Sequence, residues 1–295
     1  MSAVAAAIRR KYPAITPNEA GRLIHHAAMG ATQSEINTVV STGYRAWVED
    51  QLSRPPLNII NFQTDFPLVV DPTSVDYDNK RVAGGITYTT SSQLRMKVVD
   101  ALSQYFVINE NLYRYHSPTN LVRAWSQMLC NNAFGNFRTL VEDVSKSPHM
   151  GFYLTFKGNA KATATTQPDE NYARELLQLF TIGLWELNND GTRKTTGQLP
   201  VNDPRYVLNG TAEVPTYTTQ DVRGLARVFT GWSSQVSVLS PGSSGFNQSL
   251  ELSSINEMPM IQYPAFHEMG TKEFLGVTIP VDTPGQASLT IALDT

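Results

Sequence analysis

His267, Glu268 and Lys272 stand close together in FHEMGTKEFLG, where Gly270 frees the backbone of a loop to present an imidazole, a carboxylate and an amine. An imidazole beside a carboxylate can act as a general base or ligate a metal. One histidine and one carboxylate are too few for a zinc site, so a metal held by His267 and Glu268 would need Asp169, or Glu170 or Glu175, as well. The second cluster lies in PDENYARELLQ from Pro168. Glu170 precedes Arg174 by one helical turn, the favourable order for an ion pair, and Asn171, Arg174, Glu175 and Gln178 share a face opposite an apolar one. That polar face either points into a cleft or locks the helix to its neighbours. The third cluster is Asp221, Arg223 and Arg227. Asp221 most simply completes a helix cap, while the two arginines could grip a carboxylate or phosphate through forked hydrogen bonds unless Glu170 or Glu175 consumes them.

Two function classes follow. In an enzyme, His267, Glu170 and Glu175 would be catalytic, with Asn171, Arg174, Asp221, Arg223, Arg227 and Lys272 binding the substrate, and the reaction would be a hydrolysis, metal-assisted or not. In a binding or assembly protein, the same polar groups fasten helices or hold a partner protein or surface ligand, and this reading is slightly favoured. No G-x-S-x-G elbow, H-E-x-x-H, P-loop or G-x-G-x-x-G is present, so serine hydrolases, zincins, nucleotide hydrolases and dinucleotide oxidoreductases lose their usual markers, and no cofactor is implied. His25 and His26 diverge by about 100° on a helix and read as a partly buried packing pair. His116 and His149 sit near helix starts, and Cys130 has no Cys or His close by in sequence.

The elements that must carry these groups are mostly helical. Thr32 and Glu35 form a capping box, Gly43 stops that helix, and Tyr44 to Ser53 forms the next until Pro55 and Pro56 end it. Ser92 to Phe106 repeats Leu94, Val98, Ala101, Leu102 and Tyr105 at helical spacing, predicting one buried stripe. Further helices are expected at Asn120 to Cys130, at Phe137, Leu140, Val141 and Val144, and from the Ser147 and Pro148 cap. The strongest begins at an Asp169 cap, buries Tyr172, Ala173, Leu176, Leu177 and Phe180, and stops at Gly183. A turn-rich stretch from Asn188 to Thr216 precedes a helix capped by Thr218 and Asp221 with Val222, Leu225, Ala226 and Phe229 inward. After Trp232, QVSVLSPGSSGFNQSLEL alternates around a Pro-Gly turn and predicts a small β-hairpin. Pro284 to Thr295 starts a last amphipathic helix that reaches the end uncapped.

The chain of 295 residues can bury a substantial core, and 41% hydrophobic against 17% charged content argues against wholesale disorder. A net charge of −3, with Arg9, Arg10 and Lys11 as the one tight basic cluster, gives no phosphate-tracking surface, so nucleic acid is not the expected partner. No run approaches the length of a transmembrane segment. In MSAVAAAIRRKYP the basic cluster follows the apolar run, the reverse of a secretory signal.

Three strings carry a family resemblance: NAFGNFRTLVEDVSKSPHMGFYL, PDENYARELLQLFTIGLWELNNDGT and YTTQDVRGLARVFTGW. They resemble the bacterial family called domain of unknown function 1800, over about Leu23 to the last residue. FHEMGTKEFLG is similar to the family's segment of His, an acidic residue, Gly and Lys, with Glu268 where aspartate is expected. The resemblance implies no substrate, cofactor or catalytic residue. It does imply members that are often exported and that continue through further helices, so the chain reads as incomplete at its C-terminus. The expected fold is a mainly α, irregular multi-helix domain over 1–295 with one small β-hairpin, a long irregular excursion at 58–90 and a loop and hairpin insertion at 233–263.

Overall fold

The structure, a computed structural model, describes residues 15–59, 91–108, 119–235, 246 and 258–295. Most of the 58–90 excursion, His116 and the hairpin expected around Pro241 to Gly245 lie outside the described residues. The chain divides into two compact units, residues 1–140 and 141–295. Its architecture is mainly α.

In the first unit, Thr16 and Thr32 start α1 (Pro17–Ala27) and α2 (Gln33–Thr42) by the same device. Each hydroxyl accepts from the backbone N–H of the glutamate three residues on, and Glu19 and Glu35 reach back to the cap backbone. Gly43 separates α2 from α3 (Tyr44–Ser53), as its place in the sequence predicts. Ala20, Ile24, Val39 and Trp47 from these helices form one apolar cluster, against which Leu94 of α4 (Gln93–Tyr105) packs. α5 (Thr119–Asn132) follows, and α6 (Phe137–Lys146) crosses the division. His25 and His26, expected to be partly buried, are exposed in the last turn of α1.

The stripe predicted for α4 is corrected by a rotation of the helix. Ala101 and Tyr105 are exposed and Leu94, Val98 and Leu102 half-buried, while Gln93, Arg95, Met96 and Val99 are buried. The reason is Arg95, 5% exposed. Its guanidinium donates to the Cys130 and Arg54 carbonyls, both at 2.9 Å, and lies 4.3 Å from the Phe134 ring centroid. Gln51 and Gln93 act similarly, accepting from the Leu94 and Met29 amides. Polar side chains that satisfy backbone groups at or just beyond helix ends have taken the inward positions, which a hydrophobic period cannot register.

In the second unit, α7 (Pro148–Tyr153) starts at Ser147 with Pro148 in its first turn. The small polar stretch that follows forms no helix or strand, yet Gly158 N–H donates to the Trp232 carbonyl and Lys161 N–H to that of Phe266. α8 (Asn171–Glu175) continues into a wider π turn over Leu176–Phe180, where one α-helix was expected. Gly183 N–H closes on the Leu177 carbonyl. The predicted face holds: Tyr172, Ala173, Leu176, Leu177 and Phe180 are buried. Tyr172 stacks on Phe156 at 4.1 Å and meets Phe229 edge-on at 4.7 Å. Three isolated antiparallel bridges fold the turn-rich stretch back on itself.

α9 (Thr219–Val228) buries Val222, Leu225 and Ala226, with Phe229 buried just beyond it, as predicted. β1 (Trp232–Ser233) pairs antiparallel with β2 (Ile261–Gln262), so the ends of the 233–263 segment lie side by side. A hairpin not foreseen in the sequence joins β3 (Lys272–Phe274) to β4 (Val277–Ile279). Its two-residue turn sets Leu275 at φ 47° and Gly276 at φ 76°, the left-handed pair that tight hairpins require. α10 (Gly285–Asp294) completes the unit with Leu289 buried.

Replacing Arg95 by methionine keeps the length of the side chain but strands two carbonyls. Arg95→Met should lower the urea unfolding free energy by about 2 to 4 kcal/mol. An unchanged unfolding midpoint would show that those carbonyls find other donors.

Candidate functional site

α9 lies along β3 so closely that side chains on one of its faces must be small or polar. A β-carbon added at Gly224 would come 1.8 Å from the Glu273 carbonyl oxygen, so only glycine fits there. One turn earlier, Asp221 uses one carboxylate oxygen for the Thr218 cap and the other to accept from Leu275 N–H at 2.6 Å. One turn later, Arg227 Nη1 donates to the Thr271 carbonyl at 3.2 Å. Residues 221, 224 and 227 thus meet 275, 273 and 271, a helix and a strand running in opposite directions. Burial works against ionisation of Asp221, but the hydrogen bonds from Thr218 and Leu275 outweigh it and hold the carboxyl below its ordinary value.

A cleft of about 570 Å³ opens beside this contact. Gln220, Arg223, Gly224 and Arg227 line it from α9, Glu273 from β3 and Thr271 from just before it, and Gln167, Pro168 and Glu170 from the segment before α8. Glu170 is shared: Oε2 accepts from Arg174 Nη2 at 3.0 Å and Oε1 from Arg223 Nε at 3.2 Å. The terminal nitrogens of Arg223 and the Nε and Nη2 of Arg227 have no hydrogen-bond partner among the described residues, and Glu273, exposed on the strand, is in no ion pair among them. The site can therefore offer several guanidinium donors and one carboxylate to a ligand.

The family model described as a protein of unknown function, DUF1800, matches residues 22–295. The chain belongs to this family. No curated protein and no solved structure matches it. The DUF1800 assignment leaves function unassigned, so chemistry has to be read from the geometry. Among the described residues, no helix is long and apolar enough to cross a membrane.

Of the residues singled out in the sequence of this DUF1800 chain, the fold brings Glu170, Arg223 and Arg227 to the cleft and Arg174 to Glu170. The others go elsewhere. Asn171 is exposed, and its N–H donates to Asp169 Oδ1; the N-cap of α8 is Glu170, so Asp169, expected as the cap, stands one residue before it. Asp169 Oδ2 accepts from the Thr155 hydroxyl. Glu175 is half-buried with Oε2 out of solvent and without a partner among the described residues. Glu268 Oε1 accepts from Gly270 N–H. Among the described residues no three His, Cys, Asp or Glu converge as a metal site, so His267, Glu268 and Asp169 are not gathered around one point. Gln220, Glu273 and Thr271 were missed. Gln220 and Gly224 share the helical spacing of Arg223 and Arg227, which could have found them; Glu273 has no such signal until its strand is known.

His267 does not line the cleft. It is fully buried, with Nδ1 at 2.9 Å from the Thr230 carbonyl and Nε2 at 3.5 Å from Ser288 Oγ. A carbonyl can only accept, so Nδ1 carries the proton of the neutral ring. Lys272, also fully buried, donates to the Gly270 carbonyl at 3.4 Å. Burial pushes both the imidazole and the amine below their ordinary values, against the pull of Glu268 on each.

Two outcomes follow. Because the folded state holds His267 neutral, the unfolded chain binds the extra proton below its ordinary 6.5. The contribution of His267 to stability is therefore complete above that value and declines as pH falls through the lowered folded value. Urea unfolding across this range should show that loss, and His267→Gln should flatten it; an equal slope in the variant would assign the loss to other groups. Gly224→Ala should destabilise by about 3 kcal/mol or more, since backbone rather than a flexible side chain opposes the new methyl.

Proposed function

We propose that this protein is a noncatalytic binding protein whose ligand seat is the cleft between α9, β3 and the segment before α8, and that it holds a small ligand through an anionic group. The observation that carries this is Arg227, anchored to Thr271 through one nitrogen, with its Nε and Nη2 uncommitted among the described residues and Arg223 lining the same cleft. An anchored guanidinium loses little further freedom on binding a carboxylate or phosphate. The lining is polar rather than apolar, so recognition by charge and hydrogen bonds replaces the apolar burial typical of drug-sized ligands. Bacterial origin and a ligand met outside the cytoplasm, both implied by the family resemblance, are compatible with such a role.

The second reading is a hydrolase. It is favoured by Glu175, whose buried carboxylate oxygen, near Tyr217 and Arg174, has no partner among the described residues. Against it stands His267, the expected general base, which commits Nδ1 to Thr230 and turns Nε2 toward Ser288. We keep the single domain over 1–295 as a proposal as well, supported by one family match that runs through both units.

Titration of nitrogen-15-labelled protein with sodium glutarate and with sodium phosphate tests the seat. The amides of residues 220–227 and 271–273 should shift, and Arg227→Gln, which can still donate to Thr271, should weaken the tighter of the two by about tenfold or more, roughly 1.4 kcal/mol. Absence of shifts at these amides with both anions would remove the binding reading.

A further inference from the structure

Resting on the cleft as ligand seat, we infer that its ligand is zwitterionic: one small molecule of the amino acid or short peptide class that places an anionic group on Arg227 and an amino group on Glu273. The charges around the cleft fall into two sets. Glu170 lies between Arg174 and Arg223, so its own charge is satisfied within the protein and the terminal nitrogens of Arg223 are left over beside Arg227. Arg227 and Glu273 carry opposite charges, line the same cleft and form no ion pair with each other or with any other described residue. Two opposite charges facing one solvent-filled space gain by closing on each other, and here the backbone contact of α9 on β3 fixes the stems of both side chains instead. Arg227 is drawn to the Thr271 carbonyl, and Glu273 projects from the strand whose own carbonyl abuts Gly224. The gap between them is the place for a molecule that carries both signs.

The remaining lining agrees with that class. Gln167 and Gln220 bring amide groups that both donate and accept, the complement of a peptide or amino acid backbone. Among the described residues that line the cleft none is aromatic, so the lining favours charge and hydrogen bonds over ring stacking. A purely anionic ligand would leave Glu273 facing its own charge type, and a purely cationic one would set two arginines against it.

Three five-carbon probes separate the possibilities: 5-aminopentanoate with one charge of each sign, glutarate with two carboxylates, and cadaverine with two amines. Each is titrated by calorimetry and amide shifts into the wild type, Arg227→Gln and Glu273→Gln, whose folding is checked by thermal unfolding. The expected result is that 5-aminopentanoate binds at least tenfold tighter than either other probe, and that Glu273→Gln removes this advantage while leaving or improving glutarate binding. Glutarate binding as tightly as 5-aminopentanoate, with Glu273→Gln neutral, would overturn the zwitterion and leave the anion seat standing. Cadaverine binding tightest, or no shift at the cleft with any probe, would overturn both.

Discussion

The approach of α9 to β3 at Gly224 is the constraint on which the second unit depends. A helix rises about 1.5 Å per residue and a strand about 3.3 Å, so three residues of one advance about 4.5 Å while two of the other advance about 6.6 Å. Gly224 meets residue 273 backbone to backbone, and the longer side chains of Asp221 and Arg227 reach across the difference to residues 275 and 271. The middle contact permits no side chain, and the outer two are side-chain to backbone hydrogen bonds that satisfy groups the short hairpin leaves open. A strand pair of three residues each is not stable by itself in water, so β3 and β4 persist because a helix holds one of them. Leu275 sits in a left-handed conformation unfavourable for a branched side chain, and its N–H bond to Asp221 helps hold it there.

Around this contact the ionisable groups divide by the company they keep. His267 is held by backbone and hydroxyl groups from three segments, the end of α9, the turn before α10 and α10 itself, and in that setting the neutral ring is the favoured form. Glu170 stands at the other extreme, half-exposed and shared between two arginines, one on α8 and one on α9. Such an exposed network contributes little to stability, but it orients Arg223 toward the cleft. The chemistry available to a ligand is therefore what the packing leaves over, and that is guanidinium and carboxylate rather than imidazole.

Much of the helical framework was legible in the sequence because its signals are local. Thr32 with Glu35 and Thr218 with Asp221 cap helices within four residues, and the faces of α8 and α9 repeat at a spacing that any helix must honour. The stripe of α4 was misread because its inward positions go to Arg95 and Gln93, whose partners, the carbonyls of Arg54 and Cys130 and the amide of Met29, lie far away along the chain. The π turn after Glu175 was invisible for a related reason. Its effect is a small change in the phase of a helix whose apolar residues still face inward. Of the candidate site, the arginines and Glu170 could be found as helical neighbours, whereas Glu273 could not.

His267, Lys272 and Glu273 show why. Read as a loop, FHEMGTKEFLG offers all its polar groups to one ligand, because a loop sets no parity. As a strand it sorts them: Lys272 and Phe274 turn inward, and Glu273 between them turns outward. A shift of one residue in the start of β3 would exchange a buried amine for the carboxylate at the cleft, leaving an acid in the interior and a third cation beside Arg223 and Arg227. What decides against that register lies some fifty residues earlier, where the absence of a side chain at Gly224 lets α9 settle on the backbone of Glu273. The polarity of the cleft is in this sense encoded by a glycine on a neighbouring helix, and the acid-base character suggested by the local string is dispersed by it.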